Sequence, residues 1–310
     1  MTTAPAWSPG APVDSRAGAP AIETHGLRKR YGAKLAVADL SLSVRRGEVF
    51  GFLGPNGAGK TTTIRLLLGL IAPSAGRAQV LGFETTTGSA WRQDVGYLPG
   101  ALALWPTLTG ARTLEMLADL TGRPPVWRAE LVERLQLSGA DLARRVGTYS
   151  DGMRQKIGIV QALQCAPRLV LLDEPSKGLD PLIQVAFYDL LFDVAKRHTS
   201  VFFSSHVLPE VERVCHRVAM LRAGALVSIG DVDDLRRALP RRVTVLFRDE
   251  APAVDLAEFG RVVERSGRRV VLLVGVDRVP ALAGRLSTIP IADLLIEPQG
   301  LEDAFLEQYR

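Results

Sequence analysis

Short apolar runs alternate with amphipathic stretches from about residue 21 of the chain onward. The runs "GEVFGFLG", "RLVLLDEP" and "SVFFSSH" are short and predominantly apolar, which predicts buried strands. Helices are predicted for "KTTTIRLLLGL", "TGARTLEMLADL", "WRAELVERLQL" and "PLIQVAFYDLLFDVAKR", which carry apolar residues at helical spacing. Strands that alternate with helices predict an α/β fold, in which helices pack on a parallel sheet.

The pattern changes near residue 238. "RRVTVLF" predicts a strand, and "GRVVERSGRRVVLLVGV" predicts a hairpin that turns at Ser266 and Gly267. "VPALAGRLS" and "LEDAFLEQYR" then predict helices. We therefore expect a disordered Pro/Ala-rich tail over residues 1–20, an α/β domain over residues 21–238 and a small α+β domain over residues 239–310.

Composition excludes several classes of protein. The apolar fraction of 47% is enough to bury real cores, and no apolar run reaches the roughly 18 residues that a membrane span needs. The net charge of +5 comes almost entirely from scattered Arg, since the chain has only six Lys, and this favours a solvated surface over a nucleic-acid footprint. Cys165 and Cys215 have no metal or disulfide spacing and are expected to be helix residues of a reduced, cytosolic protein.

The stretch "GPNGAGKT", which begins at Gly54, matches the phosphate-binding pattern G-x-x-x-x-G-K-[ST] in full. It lies between a predicted strand and a predicted helix, as that pattern requires. Gly54, Gly57 and Gly59 allow the loop to bend so that backbone N–H groups point at phosphate oxygens. Lys60 can then reach the β- and γ-phosphates, and the Thr61 hydroxyl can ligate Mg²⁺. The stretch predicts a nucleotide site.

Two further segments place polar side chains where parallel strands end. The apolar strand in "LVLLDEP" ends in two acids, Asp173 and Glu174. This puts them at the carboxyl edge of a parallel sheet, where ligands bind in such folds. Asp173 is predicted to hold Mg²⁺, and Glu174 to orient or deprotonate the attacking water. His206 follows the strand in "SVFFSSH" and is predicted to reach the γ-phosphate and the water.

From about residue 22 to residue 238, about 70% of its length, the chain resembles the ATP-binding subunit of an ABC transporter. "GPNGAGKTT", "YSDGM", "LLDEP", "SKGLDP" and "SSH" occur in that family's order. The resemblance implies a P-loop NTPase fold with a RecA-like parallel core, an antiparallel β subdomain and a helical subdomain, followed by the C-terminal α+β appendix. It implies ATP and Mg²⁺ as ligands. The residues that it predicts to contact the phosphates are Gly54, Pro55, Asn56, Gly57, Ala58, Gly59, Lys60, Thr61 and Thr62.

The resemblance also assigns residues that act across two subunits. Tyr31, in "RKRYG", occupies the place of an aromatic residue that stacks on adenine. Ser150 and Gly152, in "YSDGM", occupy the place of the family's signature and would complete the ATP site of a second subunit in a head-to-tail dimer. Asp180, in "SKGLDP", would help couple the two subunits. A homodimer is expected.

Two positions depart from the family's pattern. The signature has Asp151 where the family prefers Gly, and a carboxylate about 6 Å from a phosphate would be repelled by nearly 3 kcal/mol at a dielectric near 20. We favour a structural interpretation, in which Ser150 caps a helix and Asp151 turns outward in its first turn towards Arg154; a weakened composite site is the alternative. The second departure is Gly100, which replaces a Gln that helps to bind Mg²⁺.

The resemblance implies an ATPase subunit that drives a separate membrane permease of the ABC-2 type, exporting a hydrophobic compound or drug. It would be cytoplasmic, held at the inner face of the membrane by the permease, with no nucleic-acid partner. Three alternatives stay open: an importer ATPase, a non-transport ABC ATPase acting on nucleic acid or ribosomes, and an ATP-binding scaffold without turnover.

Overall fold

A computed structural model describes residues 18–250 and 256–299 of the chain. The predicted tail therefore lies almost entirely outside the described residues, and the predicted helix "LEDAFLEQYR" lies wholly outside them. The elements up to the end of the main sheet are β1 (Ile22–Tyr31), β2 (Lys34–Val44), β3 (Val49–Leu53), α1 (Lys60–Leu67), β4 (Ala75–Val80), β5 (Phe83–Glu84), β6 (Val95–Leu98), α2 (Gly110–Thr121), α3 (Arg128–Arg134), α4 (Gly139–Ala143), α5 (Asp151–Leu163), β7 (Leu169–Asp173), α6 (Pro181–Lys196), β8 (Ser200–Ser205), α7 (Leu208–Val214), β9 (Arg217–Arg222) and β10 (Ala225–Asp231).

The main sheet has six strands in the order β10-β9-β3-β8-β7-β6. The pairs β3–β8, β8–β7 and β7–β6 are parallel. Every residue of β3, β7 and β8 is buried, as expected for parallel strands covered on both faces. In this core the ring of Phe202 stacks on that of Phe50, with centroids 5.9 Å apart, and packs at a tilt against that of Phe52, with centroids 4.9 Å apart. The three strands predicted from their apolar runs are confirmed.

A second sheet, with the order β2-β1-β4-β5, is antiparallel throughout. It forms the antiparallel β subdomain that the family resemblance implies. Residues of this sheet and of the main sheet share one apolar core, to which α1 contributes Ile64, Leu66 and Leu67. The phosphate-binding stretch runs directly from β3 into α1 and is therefore anchored at both ends by buried elements.

The predicted helices are confirmed as α1, α2, α3, α5 and α6. Pro181 opens α6, and the Asp180 side chain caps that helix by accepting a hydrogen bond from the Ile183 N–H at 3.0 Å. The prediction that both cysteines are helix residues is wrong. Cys165 lies in the turn after α5, and Cys215 is the residue that follows α7; both are buried, and neither is in a disulfide.

The C-terminal part of the described chain folds as α8 (Val232–Ala238), β11 (Arg241–Phe247), β12 (Gly260–Ser266), β13 (Arg269–Val274), α9 (Val279–Leu286) and β14 (Ile291–Pro298). Its four strands pair antiparallel in the order β12-β13-β11-β14. The predicted hairpin is β12 and β13, which turn at Ser266 and Gly267 as expected. Val243, Val245 and Phe247 of β11 alternate with less buried residues and face an apolar core that α9 completes.

The described chain divides into two compact units. The first contains residues up to His206 together with Ala219–Ser228, and the second contains Val207–Val218 together with the chain from Ile229 onward. Within the described residues, no helix combines the length and the apolar character needed to cross a bilayer.

Candidate functional site

The phosphate-binding loop joins β3 to α1 and depends on glycine at three positions. The predicted torsion is confirmed at Gly57, which has a φ of +81°. Gly59 caps α1 with a φ of +103°, and a Cβ there would lie 2.4 Å from the Ala36 carbonyl oxygen, so no other residue fits. Gly54 has no left-handed φ, and the expectation that its torsions bend the loop is wrong. Gly54 is required because a Cβ would lie 2.7 Å from the Leu221 carbonyl oxygen.

Lys60, the first residue of α1, turns its side chain back into the loop. Its Nζ donates to the carbonyl oxygens of Gly54 at 2.6 Å and Pro55 at 3.3 Å. Its Nζ also lies 3.9 Å from Glu174 Oε1. Burial lowers the pKa of Lys60 below its usual value, while the negative charges of Glu174 and Asp173 act in the opposite direction. The loop therefore holds a buried ammonium group, which is where a polyphosphate would need a counter-charge.

Asp173, at the end of β7, has both carboxylate oxygens engaged and is only 2% exposed. The Thr61 hydroxyl donates to Oδ2 at 2.7 Å, and the Ser204 hydroxyl donates to Oδ1 at 2.9 Å. Burial raises the pKa of the Tyr97 hydroxyl on β6, and the charge of Asp173 raises it further, so that this phenol stays neutral. Sequence reasoning missed Ser204; its only signal was a polar residue in an apolar strand opposite Asp173 in the register.

Glu174 lies one residue beyond β7, next to His206 at the end of β8. Its Oε1 is 3.0 Å from His206 Nδ1. The backbone of Glu174 has a φ of +51°, in the left-handed region that only few non-glycine residues adopt. Its N–H donates to the Ser204 carbonyl at 3.0 Å. The structure thus brings together the three side chains predicted for chemistry, Lys60, Glu174 and His206.

The cleft at this edge of the sheet has a volume of about 170 Å³. This volume is below the roughly 300–1,000 Å³ that is usual for a small-molecule pocket. Among the described residues, the cleft is lined by Lys34, Ala36, Asn56, Gly57, Gly59, Lys60, Thr61, Thr62 and Glu174. Tyr31, Ser150, Gly152 and Asp180 are absent from this lining. Tyr31 is 46% exposed and pairs with Lys34 in the β1–β2 register, which puts it beside a lining residue.

The segment "YSDGM" begins α5 in the manner predicted. Ser150 caps the helix by accepting a hydrogen bond from the Met153 N–H at 3.3 Å. Asp151 lies in the first turn with its side chain 91% exposed, and it pairs with Arg154 at 2.9 Å. Gly152 packs against the loop after β7, where a Cβ would lie 2.6 Å from the Gly178 carbonyl oxygen. The outward orientation predicted for Asp151 is confirmed within the subunit.

Gly100 lies directly beside the Asp173 carboxylate. A Cβ at this position would be 3.2 Å from Asp173 Oδ2. The glycine therefore occupies the place from which a longer side chain could reach the carboxylate and anything bound to it, and it contributes no ligand atom of its own.

The fold and the site together define a class of protein. A glycine-rich loop between a parallel strand and a helix, a buried lysine within it, and acids at the end of the neighbouring strand make a P-loop nucleoside triphosphatase. A profile described as "ABC transporter" matches residues 37–177, and one described as "EvrA-like ABC transporter, C-terminal domain" matches residues 240–297. The chain belongs to the ATP-binding proteins of ABC transporters. It is an ATPase that binds ATP and serves as the ATP-binding subunit of a transporter.

Similar proteins include the daunorubicin resistance ATP-binding protein DrrA3 of Streptomyces coeruleorubidus, 35% identical over 93% of this chain and 94% of that protein. The bacitracin transport ATP-binding protein BcrA of Bacillus licheniformis is 35% identical over 76% of this chain and 78% of its own length. A solved structure of an ATP-binding subunit of an ABC transporter matches with a TM-score of 0.65 and 31% identity, covering 70% of this chain and 92% of that one.

Proposed function

We propose that this chain powers the export of a hydrophobic compound or drug through a separate ABC-2-type permease. The names of two similar proteins, one for daunorubicin resistance and one for bacitracin transport, support the export direction. In this proposal the ATP-binding domain spans residues 21–238 and the appendix spans residues 239–310. The subunit would lie in the cytoplasm, at the inner face of the membrane, where the permease holds it.

One observation carries the catalytic part of the proposal: Glu174, just after β7, lies 3.9 Å from the Lys60 Nζ at the start of α1 and 3.0 Å from the His206 Nδ1 after β8. Lys60 would bind the β- and γ-phosphates. Glu174 would orient the attacking water and accept its proton, since its carboxylate is 3.9 Å from the Lys60 Nζ and only 22% exposed. His206, 3.0 Å from that carboxylate, would hold its orientation and contact the γ-phosphate.

The residues present also fit Mg²⁺. Mg²⁺ prefers hard oxygen ligands and is usually held by one or two protein groups together with phosphate oxygens and water. Thr61 Oγ1 and Asp173 Oδ2, 2.7 Å apart, supply such oxygens at the mouth of the phosphate loop. Bound there, the ion would neutralise developing phosphate charge. Because Gly100 offers no side-chain oxygen, Thr61 and Asp173 would supply the protein ligands of the ion.

The small volume of the cleft supports a site completed by a second copy. Ser150 and Gly152 do not line the cleft of their own subunit, and Ser150 lies at the exposed start of α5. In a head-to-tail homodimer, Ser150 would offer its hydroxyl and Gly152 its N–H to the γ-phosphate of the partner. Tyr31 would stack on adenine next to the cleft, and Asp180 would couple the two sites.

Steady-state ATP hydrolysis by the purified chain tests this proposal, measured beside Glu174→Gln with size-exclusion chromatography in ATP and Mg²⁺. We expect Glu174→Gln to stop hydrolysis and to trap an ATP-dependent dimer, because the nucleotide contacts remain and the proton acceptor is gone. Co-expression with a candidate permease should then give ATP-dependent efflux that this variant lacks. Undiminished hydrolysis by Glu174→Gln would contradict the assigned role.

A further inference from the structure

A side-chain amide links the start of α5 to the loop that carries Glu174. Gln155 lies on α5, four residues after Asp151, and is buried at 9% exposure. Its Nε2 donates to the Pro175 carbonyl oxygen at 2.7 Å. Pro175 directly follows Glu174 and begins the segment that we call the catalytic loop, residues 174–180. The helix that begins with Ser150 and the loop that carries Glu174 are therefore bonded within one subunit.

The catalytic loop needs such support at its first residue. Glu174 is held at a φ of +51°, and a non-glycine residue stays in this left-handed region only where its surroundings impose it. The Glu174 N–H is held by the Ser204 carbonyl at 3.0 Å. The residue that follows Glu174 is Pro175, which has no N–H to donate. The Glu174 carbonyl accepts a hydrogen bond from the Lys177 N–H at 3.3 Å, within the loop itself. The next carbonyl along the backbone, that of Pro175, is the one that Gln155 holds from α5.

The rest of the loop is held from a different helix. Gln184 Nε2, on α6, lies 3.2 Å from the Leu179 carbonyl oxygen and 3.4 Å from that of Ser176. The bond from Gln155 thus reaches the loop from α5, and its acceptor lies closer along the chain to Glu174 than the acceptors of Gln184 do. The close approach of Gly152 to Gly178 brings the same two segments together a second time.

We propose that Gln155 is a positioning residue for ATP hydrolysis. Its bond to Pro175 holds the Glu174 backbone in the conformation that sets the carboxylate 3.0 Å from His206 Nδ1 and 3.9 Å from Lys60 Nζ. Gln155 itself is buried and does not line the phosphate cleft. Because the bond originates on α5, a displacement of this helix is transmitted directly to Glu174. This inference rests on the proposed role of Glu174 in hydrolysis.

The first test is Gln155→Leu in the full chain, with kcat and KM for ATP measured separately. We expect kcat to fall about tenfold, because a small misplacement of a reacting group costs this much or more. KM and the affinity for a fluorescent ATP analogue should stay within about twofold of the wild type, because the phosphate loop is untouched. A parallel loss of nucleotide affinity would overturn the inference, since Gln155 would then support binding and not the position of Glu174.

A double-mutant cycle with Glu174→Gln separates positioning from general support. If Gln155 acts through the Glu174 carboxylate, Gln155→Leu should lower kcat in the wild type and leave the residual single-turnover rate of Glu174→Gln unchanged. Equal losses in both backgrounds would show a role independent of Glu174. Should Gln155→Leu fail to fold, Gln155→Met, which keeps an unbranched side chain of similar length and loses the amide donor, allows the same cycle.

Gln164→Leu is the matched control. Gln164 follows the last residue of α5, is 1% exposed, and donates its Nε2 to the Leu114 carbonyl at 3.0 Å, away from the catalytic loop. We expect this variant to lose thermal stability and to keep wild-type kcat. If Gln164→Leu loses as much kcat as Gln155→Leu, the inference fails. If Glu174→Gln stops hydrolysis while Gln155→Leu does not, the inference fails and the proposed function stands.

Discussion

The two compact units of this chain bury different kinds of side chain. In the described part of the second unit, the only buried polar side chain is Gln299, and the core beneath its antiparallel sheet is apolar. The first unit buries Lys60 and Asp173 at the edge of its parallel sheet, at 6% and 2% exposure. Burying a charge costs free energy unless it is paired and hydrogen-bonded, and both of these are. Both units thus have an apolar core, but among the described residues only the first also buries charged side chains.

The largest effect should come from Lys60→Ala. Loss of the buried ammonium removes the main counter-charge of the phosphates, and hydrolysis should fall about a thousandfold or more, which corresponds to about 4 kcal/mol. Phosphate release by the full chain measures it. Lys196→Ala is a suitable control because Lys196 is 77% exposed, and it should turn over like the wild type. If Lys60→Ala kept a tenth of the wild-type activity, the buried ammonium group would not be the main counter-charge of the phosphates.

The corresponding substitution in the second unit is Phe247→Ala, which should affect stability and not hydrolysis. Phe247 is 2% exposed in the core between the sheet and α9, and its truncation should cost about 3 to 4 kcal/mol of that unit's free energy of unfolding. Denaturant unfolding measures the loss, while ATP hydrolysis per folded molecule should not change. Leu295→Ala, at a position 51% exposed, should change stability by less than about 0.5 kcal/mol. Loss of hydrolysis in folded Phe247→Ala would show that the second core also supports the site.

Asp151→Gly tests whether an exposed acid near the predicted site matters less for hydrolysis than the buried Asp173 does. The variant loses the ion pair with Arg154 and the favourable charge in the first turn of α5, and a glycine there weakens the helix, so we expect about 1 kcal/mol of destabilisation. Because the Asp151 side chain is 91% exposed, kcat/KM should stay within about twofold. Thermal unfolding and steady-state kinetics measure the two quantities. A severalfold rise in kcat/KM would instead favour repulsion of the partner's phosphate.

The smallest effect concerns the contact between α3 and α6. Glu130 accepts two hydrogen bonds from Arg197, at 2.7 and 2.8 Å, and these bonds hold the pKa of the Glu130 carboxyl below its usual value. A folded pKa below the unfolded value of about 4.3 gives stability that is present above that pH and lost as the pH falls through the folded pKa. Both side chains are partly exposed, so Glu130→Gln should cost less than about 1 kcal/mol at pH 7. Thermal unfolding should show this difference shrink as the pH falls below about 4.3 and vanish below the folded pKa, and a difference that grows on acidification would contradict the assigned cause.

Local sequence patterns predicted the helices and strands well, but they could not predict the contacts between segments that are distant in the sequence. The stretch "GPNGAGKT" and the acids after "LVLL" were enough to find Lys60, Asp173 and Glu174, because their chemistry depends on residue type and on the ends of strands. The bonds of Ser204 to Asp173 and of Gln155 to Pro175 depend on register and on helix packing, which sequence spacing does not reveal. Gly54 was identified for the wrong reason. Glycine is required there because the Leu221 carbonyl oxygen lies too close for a Cβ, and not because of the backbone torsion.

Two neighbouring positions at the start of α5 differ in how freely they can change during evolution. Asp151 faces solvent, so a family preference for glycine there can lapse without disturbing the subunit itself. Gly152 faces a backbone oxygen of the catalytic loop at a distance that leaves no room for even one carbon. Drift at the first position alters surface charge, while drift at the second would displace the segment that carries Glu174. The signature of this chain thus tolerates substitution at Asp151 and not at the adjacent Gly152. The difference lies in the space that the neighbouring backbone leaves for a side chain, not in the chemical similarity of the residues.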